Sequence, residues 1–235
     1  MVPRVWRQAF IACMCAGGWQ AGGAAQAQDA SGKAVAVLQA ADAVGPTGAR
    51  ILAIEQPVYM GDRIRTGSTG EAQIRFHDDT RLVVGPDSVF LIERYVLRGS
   101  TTVKDFTVDA LRGSFRFMSG ASPKSAYAIR TPTATIGIRG TQFDLAVGPG
   151  GETSFVLFDG RARVCDGNGR CLTATEPCSM LFVPSRGPVR RVSSLQETRS
   201  RLRADFPYVV GQSFRLRRDF QVNVSSCGDL TQTFP

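Results

Sequence analysis

Hydrophobic and polar residues alternate in short runs along most of this chain, with glycine, proline, asparagine or aspartate between the runs. Ala72, Ile74 and Phe76 oppose Gln73, Arg75 and His77, and Ala134, Ile136 and Ile138 oppose Thr135, Gly137 and Arg139. A period of two residues is the signature of a half-buried strand. Similar runs cover 34–38, 49–54, 82–84, 89–96, 101–108, 113–118, 127–130, 141–147, 153–158 and 161–164. Asp78-Asp79 reads as a tight turn, and Asp159-Gly160 between two such runs predicts a two-residue hairpin. No helical period is evident before residue 184. The pattern predicts an all-β fold of many short strands in a rolled or solenoid-like sheet, antiparallel or mixed.

The densest stretch is 131–143, Thr131-Pro132-Thr133-Ala134-Thr135-Ile136-Gly137-Ile138-Arg139-Gly140-Thr141-Gln142-Phe143. Pro132 forces Thr131 into an extended conformation, and Gly137 and Gly140 permit corners. Arg139, among apolar neighbours, requires solvent or an acceptor. It is expected to anchor backbone or a carboxylate inside the domain, the alternative being a binding edge.

Beyond Pro184 the composition changes. Residues 185–218 hold nine arginines against Glu197 and Asp205. Ser193 or Ser194 could cap a short helix through Arg203, with Leu195 and Leu202 on one face. Residues 214–224 read as a further strand. Arg199, Arg201 and Arg203 form a candidate basic patch for an anionic envelope component or an acidic protein surface, or a solvated face. The net charge of +8 is mostly arginine, since Lys33, Lys104 and Lys124 are the only lysines.

At the other end, Arg4 and Arg7 precede an apolar stretch over Ala9–Trp19 and the small-x-small sequence Ala25-Gln26-Ala27. This is the layout of a secretory signal peptide over residues 1–27, cleaved after Ala27. Residues 28–32 would then be a flexible start, 33–183 a β-domain and 184–235 an Arg-rich extension. The mature chain is expected to hold no transmembrane helix and to be periplasmic or secreted. Phe10-Ile11-Ala12-Cys13 resembles the box before a lipid-modified cysteine, with an unusually short apolar region ahead of it.

Export makes Cys165, Cys171, Cys178 and Cys227 disulfide candidates. Cys165 and Cys171 flank a Gly-Asn-Gly turn that would bring them opposite each other, leaving Cys178 with Cys227. A zinc site built from all four is the competing reading, but such sites use CxxC-like pairs, which are absent.

Three stretches resemble the FecR domain: Gly61-Asp62-Arg63-Ile64-Arg65-Thr66-Gly67, Gly70 to Phe76, and Thr131-Pro132 through Arg139-Gly140-Thr141-Gln142-Phe143. Val156 to Val164 fits the end of that domain, so the resemblance covers roughly 33–183. Asp78-Asp79 stands where the family has aspartate-glycine. The resemblance implies an all-β periplasmic module and structural roles for Gly61, Asp62, Thr66, Gly67, Thr131, Pro132, Arg139, Gly140, Thr141 and Phe143. Regulators of this family relay the state of an outer-membrane transporter to a cytoplasmic sigma factor. This chain shows neither the cytoplasmic segment nor the membrane helix of that design, so direct contact with a sigma factor is not expected.

Catalysis finds little support. His77 is the sole histidine, Gly-x-Ser-x-Gly does not occur, and Asp105 and Asp109 offer at most a carboxylate pair for glycoside chemistry. No catalytic residue, metal, cofactor or nucleic-acid partner is expected. The residues point to a non-enzymatic recognition module for an envelope protein or anionic glycan, with a role in envelope signalling. A structural or assembly component of the envelope is the alternative, and a carbohydrate-active enzyme ranks behind both.

Overall fold

A computed structural model describes residues 29–46 and 48–227. The signal-peptide reading and Cys13 lie outside the described residues. The strands are β1 (Ala30–Leu38), β2 (Ala41–Gly45), β3 (Gly48–Ile51), β4 (Pro57–Tyr59), β5 (Arg63–Thr66), β6 (Glu71–Phe76), β7 (Arg81–Val84) and β8 (Val89–Leu97). They continue as β9 (Val103–Met118), β10 (Tyr127–Arg130), β11 (Ala134–Val147), β12 (Thr153–Asp166), β13 (Cys171–Ala174), β14 (Met180–Val183) and β15 (Arg190–Arg191). Two helices follow, α1 (Leu195–Asp205) and α2 (Pro207–Arg215). The expected all-β class is present, as one rolled, mixed sheet in which β9 and β10 run parallel.

Three long strands make the roll. The first half of β9 pairs with β8 and β10, and its second half with β7 and β11. Likewise β11 pairs first with β10 and later with β9, while β12 meets β14 early and β13 late. Each strand therefore leaves one layer and enters the other. The first layer runs β4-β1-β6-β7-β9-β11-β12-β14-β15, and the second runs β3-β2-β5-β8-β9-β10-β11-β12-β13. Aromatic contacts close the space between them: Phe76 lies 4.7 Å from Phe106, and Phe90 5.6 Å from Phe115.

The bends sit at glycines with positive φ, Gly113 at 98°, Gly140 at 57° and Gly160 at 86°. A Cβ on Gly160 would stand 2.0 Å from the Gly140 carbonyl oxygen, so the corners of β11 and β12 touch through bare backbone. Two expectations change here. Asp159-Gly160 is not a hairpin, because both halves of β12 pair antiparallel to β11 and must run in one direction. Gly137 is not a corner; it lies in regular strand with open space beside it. The expected flexible start also gives way, since β1 begins at Ala30 and buries Ser31.

The outer face of the first layer is covered by the C-terminal extension. Met118, Ala146, Val156, Phe158 and Met180 pack against Leu202, Phe206, Val209 and Val222, and Val83 packs with Tyr208, Leu216 and Phe220. Residues 214–224 are therefore not the expected strand. They finish α2, pass through a 3-10 turn at Arg218–Phe220 and lie along the sheet as cover. Ser194 caps α1 as expected, and Leu202 is buried, but Leu195 is 52% exposed. The Cys178–Cys227 disulfide ties the end of this cover to the sheet, and Cys165–Cys171 bridges β12 and β13.

Beneath the cover lies a buried ion pair. Arg116 of β9 is fully buried and donates Nε and Nη2 to the two carboxylate oxygens of Asp144 on β11, at 2.7 and 2.9 Å. Its Nη1 donates to Gln212 of α2 at 2.6 Å, and the Gln212 amide brackets the backbone N–H and C=O of Val222. The guanidinium lies against the rings of Phe158 and Tyr208, 5.3 and 5.7 Å from their centroids. Nearby Glu71 is also buried, and burial pushes its carboxyl pKa up against the opposing effects of Gln73 and Arg215. Truncating one member of a buried pair strands the other, which costs about 3–5 kcal/mol. Arg116→Met should lower stability by that amount in urea denaturation, and adding Asp144→Leu should recover most of it.

Candidate functional site

Alternation in β11 and β12 sorts their side chains between core and solvent. Ala134, Ile136, Ile138, Ala162 and Val164 are buried, while Thr135, Gly137, Arg139, Arg161 and Arg163 are exposed on the outer face of the second layer. The antiparallel register sets Arg139 directly across from Arg161 and Gly137 across from Arg163. Three guanidinium groups thus share one small area, and Gly137 leaves a bare floor between them. Together with Ser125 and Thr173 they line a groove of about 460 Å³.

Thr141 holds this arrangement from below. Its Oγ1 accepts the Arg139 N–H at 3.0 Å and donates to the Arg161 carbonyl at 2.9 Å. Its own N–H donates to Ser119 Oγ at 2.8 Å. One buried hydroxyl therefore sets the spacing of two arginine backbones, next to the corner at Gly140 and Gly160.

Several arginines elsewhere on this face are paired with carboxylates. Arg65 pairs with Asp42, Arg94 with Asp105, and Arg130 with Glu93 and Asp109. Among the described residues no carboxylate pairs with Arg139, Arg161 or Arg163. Like charges directly opposite one another on a sheet destabilise it. The arrangement has a cost that nothing within the described fold offsets, and it fits an external anion.

Arg139 is consequently not the internal anchor expected of it. Its side chain is exposed, and the inward positions beside it belong to Ile136 and Ile138. The other motif residues make contacts within the fold. Asp62 is buried, receives Arg50 Nη1 at 2.9 Å and accepts the Tyr59 N–H at 2.8 Å, with Gly61 turning the chain at φ 88°. Thr66 donates to the Gly85 carbonyl at 2.5 Å, and the Gly67 N–H reaches the Ala40 carbonyl. Thr131 caps the start of β11 through the Ala134 N–H and bonds the Thr153 hydroxyl at 2.7 Å. Pro132 packs near Gly151, and Phe143 lies between Phe117 and Phe155 in the core.

The expected patch of Arg199, Arg201 and Arg203 does not act as a unit. Residues 199 and 203, one helical turn apart, share a surface of α1. Arg201 points the other way, with its Cζ 3.6 Å from the Phe182 ring centroid and its Nε on Glu197 at 2.9 Å. Arg190 and Arg201 together hold the Glu197 carboxyl down to about 2. This cluster clamps α1 to the sheet. Of the groups considered for chemistry, His77 is exposed at a turn, and Asp105 and Asp109 are each engaged by an arginine. Among the described residues no group of His, Cys, Asp and Glu is placed to hold a metal ion.

Arg161 and Arg163 escaped the sequence reading. Their i, i+2 spacing signals one face, but their convergence on Arg139 depends on strand register.

Residues 62–163 match the family model described as FecR protein. This stretch is narrower than 33–183 and contains all three groove arginines. No curated protein matches the sequence. Among solved structures, two crystal structures of a candidate anti-sigma factor from Parabacteroides distasonis, at 2.50 and 1.65 Å resolution, are similar at 16% identity with TM-scores of 0.46 and 0.44. Each alignment covers 56% of this chain and 59% of the other.

Replacing an exposed residue away from any cap or cavity changes stability by about 0.5 kcal/mol or less. Arg139→Ala should stay within that range. Arg161→Thr should raise stability by about 0.2–1 kcal/mol through relief of repulsion. Urea midpoints at low salt measure both, and a loss above 1 kcal/mol for Arg139→Ala would return that residue to a structural role.

Proposed function

We propose that this chain is an exported, non-enzymatic recognition module of the FecR type, which binds an acidic envelope partner at the Arg139–Arg161–Arg163 groove and reports its presence onward. The β-domain and the Arg-rich extension act as one unit, the extension serving as cover for the sheet and not as the binding patch. The observation that carries this reading is the like-charged cross-strand pair with no carboxylate partner. The family match supports it, since FecR proteins are regulatory. Two disulfides suit an oxidising compartment. Among the described residues no helix is long and apolar enough to cross a membrane. The role of signal receiver is favoured over that of an assembly component because the groove is a discrete, charged feature on a rigid sheet.

Crosslinking in intact cells with wild-type protein and with Arg139→Glu/Arg163→Glu tests the reading. The wild type should capture a partner that the charge-reversed protein loses while remaining folded. Equal capture by both proteins would remove the groove from recognition.

A further inference from the structure

Which acidic partner fits the groove follows from what surrounds the three arginines. Protein-interface hot spots pair arginine with exposed tryptophan and tyrosine in desolvated pockets. The large exposed hydrophobic side chains of the described residues are Leu38, Ile51, Ile54, Met60, Val96, Leu195 and Phe214, and none of them lines the groove. Tyr127, whose ring borders it, turns its hydroxyl inward to Asp78 at 2.6 Å.

Addition of a peptide strand is also obstructed. The nearby sheet edge is β13, which pairs only with β12. At that edge the Thr173 carbonyl already receives Arg191 Nη2 at 2.6 Å. A ligand there meets three guanidinium forks and the exposed Ser125 and Thr173 around a floor made by Gly137, Ile138 and the Tyr127 ring. Nothing lies within 4 Å of where a Gly137 side chain would begin. Alternate residues along β12 place Arg161 and Arg163 about 7 Å apart, so the anion must present charges in series.

We infer that the groove takes a carboxylate-bearing polysaccharide. A sugar ring lies over Gly137, its carboxylates meet the arginine forks, and its hydroxyls face Ser125 and Thr173. Guanidinium groups pair with carboxylates through two parallel hydrogen bonds. A stiff sugar chain also loses less conformational freedom on binding than an acidic peptide does. This inference rests on the groove being the recognition site and adds the ligand class.

Polygalacturonate, poly-glutamate and neutral dextran serve as probes, with affinity measured by isothermal titration on the disulfide-intact protein. Polygalacturonate should bind more tightly than poly-glutamate, and dextran should not bind. Arg139→Gln/Arg163→Gln should weaken polygalacturonate binding by about tenfold or more. Gly137→Phe, which removes no charge, should weaken it as well by filling the floor, with the urea midpoint confirming that the variant folds. Poly-glutamate binding as tightly, with the same loss in the arginine variant, would overturn the glycan assignment and leave the groove as a recognition site. Polygalacturonate binding that ignores both variants would overturn the groove itself. An absence of polygalacturonate binding would overturn the inference and leave the groove to the crosslinking result.

Discussion

The Arg116–Asp144 pair is the interaction on which the rest of the architecture depends. It joins two central strands, β9 and β11, at directly opposed register positions on the face that the extension covers. A charge buried this deeply is tolerable only with its partners in place. Those partners include Gln212, which in turn holds the chain at Val222. The ion pair therefore commits the C-terminal segment to the sheet, and with it the disulfide at Cys227. Removing the cover would expose a charge pair and a stripe of apolar side chains, Phe158 among them, together.

With one layer covered on both faces, the second layer is the one that presents an open face to solvent. Glycine corners in β9, β11 and β12 transfer the order of the covered layer to the open one, because the same three strands build both. The position of Arg139 opposite Arg161 is thus set by strands whose other halves lie under the cover. Arg65, Arg94 and Arg130 of the open face pair with neighbouring carboxylates, whereas the three arginines around Gly137 converge on one groove with no such partner among the described residues. A rigid support behind a charged, unfilled groove suits recognition, since little order remains to be established on binding.

Much of this was legible in the sequence, and the failures are instructive. Alternation located nearly every strand, and the cysteine spacing pointed to both disulfides. Asp159-Gly160 misled because a corner and a hairpin need the same residues, and only pairing partners separate them. Gln73 and Arg116 sit on the polar side of their strands in the pattern, yet both are buried. Alternation records one covered face and cannot report a second cover contributed from residues over a hundred positions away. The same limit hid the groove, because Arg139 and Arg161 become neighbours only through register. The basic run at 199–203 looked like a patch on charge alone, but helical geometry turns Arg201 against Phe182.

The most direct test follows the arginine side chains themselves. Titrating isotope-labelled protein with sodium sulfate, while observing each Nε–Hε resonance, compares all guanidinium groups in one sample. Selective shifts at Arg139, Arg161 and Arg163, with Arg116 and Arg201 unmoved, are the predicted result. Shifts spread evenly over exposed arginines such as Arg63 and Arg98 would contradict it, for the groove would then be no more than ordinary basic surface.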